Sequence, residues 1–159
     1  MATKKKRKYQ GWITRTLEDG TRQVRLLNGK WITPKELLLL VLDNLKAEPR
    51  VYRQSTFCST GKEYGQTDCK TVACIGGWAW MIVTGRPRVS IYRGQSGATW
   101  VGNFLTGRPG WLWLFGANFE IFGGKNNFMD QIHNARTLLQ RVHVAARAIK
   151  YFIKTEKLK

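Results

Sequence analysis

The sequence predicts a mainly α chain of the α+β kind: an N-terminal β-hairpin, an aromatic-rich helical core and a long C-terminal amphipathic helix. Three observations carry that expectation. Two β-prone runs near the start flank an Asp-Gly turn. Thr33-Pro34-Lys35-Glu36 then opens a Leu-rich stretch with the residues of a capped helix start. From Phe128 to Ile153, apolar residues recur at alternating spacings of four and three, the period of one helical face.

The elements follow in order. Ala2 to Lys8 is a cationic run with no apolar content to fold around, so residues 1–10 are expected to be a disordered basic arm. Residues 11–159 are expected to form a single domain, with 11–32 as hairpin and 33–155 as helical. Trp12 to Leu17 and Arg22 to Leu27 are the two strands, and Asp19-Gly20 joins them because glycine supplies the positive φ of a tight turn. Asn28-Gly29 can turn the chain again, adding Lys30-Trp31-Ile32 as a short third strand.

Thr33 caps the first helix, Pro34 fits its first turn, and Glu36 closes a capping box. That helix runs to about Ala47 and stops before Pro49. Residues 50–70 are polar and aperiodic and are expected to be a loop. Thr71 to Thr84 is apolar nearly all round, as a buried helix ending at Gly85 would be. Val89 to Tyr92 is expected as a short strand, and Ala98 to Leu105 and Pro109 to Phe115 as short helices. The final helix spans roughly seven turns from Phe128. No internal repeat is read from the sequence.

Composition bounds the function. The chain has 159 residues with 27 Lys+Arg against 10 Asp+Glu, a formal net charge of +17. The 43% hydrophobic content and seven Trp exclude a wholly disordered chain. The longest apolar run, Val72 to Val83, is 12 residues, short of the ~20 that a membrane span requires. No signal peptide is read at the N-terminus, and three cysteines without one point to a reducing, cytoplasmic setting. The charge is concentrated at the extremities: net +7 in residues 1–30 and +6 in residues 125–159. Such ends imply a polyanionic partner, DNA or RNA above all, with a larger protein or nucleoprotein complex as the alternative.

The candidate phosphate contacts are Lys4, Lys5, Lys6, Arg7 and Lys8 of the arm, Arg15, Arg22 and Arg25 of the hairpin, and Arg136, Arg147, Lys150 and Lys154 of the last helix. In that helix His133, Arg136, Gln140, His143, Arg147, Lys150 and Lys154 form a second stripe, one residue offset from the apolar one. One residue is about 100° around the axis, so this stripe is expected to flank the buried face. It lacks the carboxylates that an ordinary solvated helix interleaves for i,i+4 pairing. In the middle of the chain, Trp100 and Trp111 lie near Gly and Arg turns and are the aromatic candidates for stacking on unpaired bases. Trp78 and Trp113 are expected in the core.

Neither metal nor cofactor is expected. Cys58, Cys69 and Cys74 lack the paired C-x-x-C spacing of zinc ribbons, and His133 and His143 stand ten residues apart, about 15 Å along a helix. Ser59-Thr60-Gly61-Lys62 lacks the earlier glycine and following hydroxyl of a phosphate-binding loop. Gly94 to Thr99 is expected to be a flexible turn into a helix. The scattered carboxylates assemble no acid–base pair, and no nucleophile motif occurs, so no enzyme is expected.

Cys69-Lys70-Thr71-Val72-Ala73-Cys74-Ile75-Gly76-Gly77-Trp78-Ala79 resembles a segment of small uncharacterised proteins of bacteria and their phages, in which the pattern is Cys-Gly-Thr-x-Ala-Cys-Ile/Leu-x-Gly-Trp-Ala. The resemblance extends over roughly residues 36–115 and departs from the pattern at Lys70, where glycine is usual. It implies a bacterial or phage source and a mostly helical centre, and it assigns no activity.

Overall fold

In the computed structural model, residues 9–51, 75–86, 100–108 and 128–158 are described. The expected disordered arm up to Lys8, the loop at 52–70, the strand at 89–92, the helix at 109–115 and all three cysteines lie outside these residues.

Three short strands open the fold: β1 (Thr14–Thr16), β2 (Arg22–Arg25) and β3 (Trp31–Ile32), an antiparallel sheet in the order β1-β2-β3. Both turns are built as the sequence predicts, with Gly20 at φ 80° and Gly29 at φ 86°. Asp19 and Asn28 each accept a backbone N–H two residues on, from Thr21 and Lys30, at 2.9 Å. Strand alternation sorts the side chains. Val24 pairs with Thr14 and Ile32, and both Val24 and Ile32 are buried. Arg15 pairs with Gln23, and Arg25 with Trp31, which puts these four on the outer face.

Helix α1 (Pro34–Ala47) starts and stops where the sequence places it. Thr33 Oγ1 accepts from Glu36 N at 3.4 Å and Glu36 Oε2 accepts from Thr33 N at 2.8 Å, the reciprocal capping box. Leu37, Leu38, Val41, Leu42 and Leu45 are buried at helical spacing. A short 3-10 turn, Pro49–Val51, follows.

Helix α2 is Ile75–Thr84, and residues 100–106 form a further helix, α3. Their ends share a device. Thr84 Oγ1 donates to the Trp80 carbonyl and Thr106 Oγ1 to the Gly102 carbonyl, each at 2.8 Å. Each hydroxyl then accepts the N–H of the arginine two residues on, Arg86 at 3.2 Å and Arg108 at 3.1 Å. Gly85 and Gly107 both adopt φ 70°, in the left-handed cap that glycine favours. The sequence spells this device twice, as Thr84-Gly85-Arg86-Pro87 and Thr106-Gly107-Arg108-Pro109. The chain therefore does carry a short repeat, one of helix endings rather than of whole units.

The N-terminal segment closes over both ends. Gln10, at the boundary of the expected arm, donates its backbone N–H to Thr84 O at 3.1 Å and its Nε2 to Val83 O at 2.8 Å and to Arg25 O. Arg22 does the same for α3, with Nε 2.8 Å from Phe104 O and Nη2 3.3 Å from Leu105 O. A guanidinium at the negative end of a helix gains both the hydrogen bonds and the dipole.

The C-terminal helix is two helices, α4 (Phe128–Asn134) and α5 (Leu138–Thr155). A second capping box starts α5: Thr137 Oγ1 accepts from Gln140 N at 3.1 Å, and Gln140 Oε1 accepts from Thr137 N at 3.1 Å and Arg136 N at 2.8 Å. Thr137 is extended, at φ −116° and ψ 156°, which breaks the expected continuous helix. Helix α1 packs against α2 and α5, and α4 against α5. Val142, Ala145, Ala148, Ile149 and Phe152 complete the core from α5, whereas Leu139, expected on the buried stripe, is 59% exposed.

Candidate nucleic-acid interface

Two surfaces gather basic side chains of the described residues. The first is the solvent side of α5. Its 18 residues include Arg141, Arg147, Lys150 and Lys154 and no Asp or Glu, and all four cations are exposed, as is His143. At 100° per residue, the stripe from Gln140 to Lys154 is centred about 160° from the buried residues, not the ~100° that the apolar periodicity suggests. The difference comes from Ala145, Ala148 and Phe152, which turn the buried face away from Leu139 and Ile153. The stripe is thereby set outward, and it runs for about 21 Å along the axis. His133 on α4 and Arg136 in the junction are exposed but belong to the segment before the break. Glu156, which follows the helix, forms an ion pair of 2.7 Å with Arg108.

The second surface is the sheet and the groove beside it. On the outer face the Arg15 guanidinium carbon stands 4.2 Å from the Trp31 ring centroid, and Arg15 Nε donates to Gln23 Oε1 at 2.8 Å. This cation–π pair holds a charged, exposed arginine in place. Arg25 is half-buried on the same face. Arg22 is on the other side, engaged by the α3 carbonyls, so the three hairpin arginines are not equivalent. Lys4 to Lys8 lie outside the described residues.

Between β1 and α3 runs a groove of about 250 Å³. Trp12, Thr14 and Thr16 line one wall, Trp100, Asn103 and Phe104 the other, with Arg15 and Arg22 beside them. Its aromatics form a stack. Trp12 and Trp80 lie 5.8 Å apart with ring planes 7° from parallel, and Trp80 and Trp100 lie 5.6 Å apart at 29°. Phe104 meets Trp12 edge-on at 5.8 Å. Trp80 is buried at the centre of this stack, while Trp100, at its end, is 47% exposed. Trp78 is half-buried against the core. Trp111 and Trp113 lie outside the described residues.

No protein-family model, curated protein or solved structure matches this chain. The arrangement itself is therefore what bears on function. Among the described residues no cluster of His, Cys, Asp or Glu has the geometry to hold a metal ion, and no helix is long and apolar enough to cross a membrane. The chemistry on offer is charge, hydrogen-bond donors and aromatic faces.

The charges of α5 and the exposure of Trp100 are legible in the sequence. Trp12 and Phe104 as groove walls are not, because their role depends on α3 returning to the hairpin across some ninety residues of chain. Two signals were nonetheless in the sequence. Strand alternation separates Arg22 from Arg15 and Arg25, and Thr137-Leu138-Leu139-Gln140 is the same capping pattern that marks Thr33.

Proposed function

We propose that this chain is a small, non-enzymatic nucleic-acid-binding protein that contacts phosphates through its basic arm, the outer face of its sheet and the outward side of α5. The observation that carries this reading is the outward stripe of α5, which presents Arg147, Lys150 and Lys154 on a helix of 18 residues that holds no carboxylate. A stripe of that length and sign matches a phosphate backbone, whereas an ordinary solvated helix mixes both signs. Arg15 and Arg25 add positive charge on the sheet. On the resemblance of residues 69–79, the setting is the cytoplasm of a bacterium or of a phage-infected cell.

The test is fluorescence anisotropy with duplex DNA, single-stranded DNA and structured RNA at 50 and 200 mM salt. With six to ten phosphates contacted, affinity falls by about 10³ to 10⁵ between those conditions. Reversing charge in α5 (Arg147→Glu, Lys150→Glu and Lys154→Glu together) flattens the salt slope and weakens binding to every polymer that the native chain holds. A chain that binds none of the three at 50 mM salt overturns the proposal and assigns the charge to an acidic protein partner.

A further inference from the structure

We infer that the groove between β1 and α3 is a stacking site for an unpaired base of single-stranded nucleic acid, with Trp100 as its platform. This rests on the reading of the partner as a nucleic acid, and it adds a second mode of contact that phosphate binding by α5 does not require.

Trp100 is 47% exposed, lines the groove and ends the tryptophan stack, and among the described residues no ring but Trp80 stacks on it, so part of its apolar surface is open to a further ring. Trp80 packs on that ring at 5.6 Å, and Trp12 packs on Trp80 at 5.8 Å. A platform held this way loses little side-chain freedom when a further ring is laid on it, which is what makes a preformed site bind. A base is such a ring: flat, of any sequence, with a π-face to offer.

The groove's other groups fit the rest of a nucleotide. Thr14 and Thr16 are exposed on β1 and can donate to base-edge or sugar oxygens, and none of the lining residues is Asp or Glu. Arg15 and Arg22 line the groove as well, so its potential is positive where a phosphate would follow the base. A paired base is flanked by its neighbours in the helical stack and does not present a face to the groove. The occupant is therefore a single strand, and deoxyribose and ribose strands share the chemistry.

The test uses the full chain with a labelled oligodeoxythymidylate, an oligouridylate and a duplex, each at 50 mM salt. Three variants are compared: Trp100→Ala, Trp100→Leu, which keeps apolar bulk but no π-face, and Trp100→Phe, which keeps the π-face. Far-ultraviolet circular dichroism establishes that each is folded. Stacking of one base is worth about 1 to 3 kcal/mol, so the Ala and Leu variants should bind one or both single strands roughly 5- to 150-fold more weakly. Phe should recover much of that loss, and the duplex affinity and the salt slope should stay within twofold of native. The strand that loses more identifies the sugar. If folded Leu and Ala variants bind both single strands within twofold of native, or lose the duplex equally, the groove is not a base site, while binding through α5 stands. If the native chain binds no polymer, the underlying reading falls and the stacking site with it.

Discussion

At Gly107 two requirements coincide. Its φ of 70° lies in the region that residues with a Cβ enter only at a cost, and a Cβ added there would collide with the Arg22 guanidinium. Gly20 has a similar φ of 80° but open space around it. Gly20→Ala should therefore cost about 1 to 2 kcal/mol from the backbone alone. Gly107→Ala should cost more, because Arg22 must also leave the Phe104 and Leu105 carbonyls. Urea denaturation measures both. In an Arg22→Ala background the Gly107→Ala penalty should shrink toward that of Gly20→Ala, a coupling that a double-mutant cycle reads directly. Equal penalties at the two glycines in the native background would mean that Arg22 moves aside freely and does not anchor α3.

Among the elements, the two capping boxes make a matched pair. Thr33 and Thr137 each accept from the third residue on and are answered by that residue's side chain, Glu36 or Gln140. Thr→Ala at either position should lose about 1 kcal/mol, measured by urea titration. Thr137→Ala has a further consequence: the break between α4 and α5 then keeps only the Gln140 Oε1 bonds to the backbone N–H groups of residues 136 and 137, and the direction of the α5 stripe loosens with the lost half of the box. It should weaken nucleic-acid binding as well as stability, whereas Thr33→Ala should affect stability alone.

The same comparison shows what was legible in the sequence. The sheet, its two glycine turns and the full span of α1 follow from local chemistry, since strand alternation and capping act within a few residues. The break at Thr137 obeys an equally local rule, but the continuing apolar spacing from Ile132 to Val142 masks it. The direction of the buried face of α5 was less accessible. It depends on which alanines are buried, Ala145, Ala146 and Ala148, and small residues carry little periodic signal. The groove was least legible of all, because Trp12, Trp80 and Trp100 are brought into one stack only by the tertiary fold.

For the molecule as a whole, net +17 on 159 residues is a liability as well as a device. Like charges crowd the folded state more than the unfolded one, so self-repulsion lowers stability until salt or a polyanion offsets it. The Debye length shrinks from about 10 Å at 0.1 M salt to about 3 Å at 1 M, and repulsion between exposed cations fades over that range. The free protein should therefore gain thermal stability as sodium chloride rises from 50 to 300 mM. Bound to nucleic acid it should behave oppositely. At 50 mM salt, an oligonucleotide at 100 times its Kd stabilises the fold by about 2.7 kcal/mol, roughly 5 to 10 °C in Tm for a chain of this size. Rising salt then weakens the complex and removes that gain. Two thermal scans across the same salt series, with and without ligand, should converge from opposite sides. Parallel curves would mean that salt does not weaken the complex, so that phosphate contacts do not hold the ligand and the reading of the charges as phosphate contacts falls.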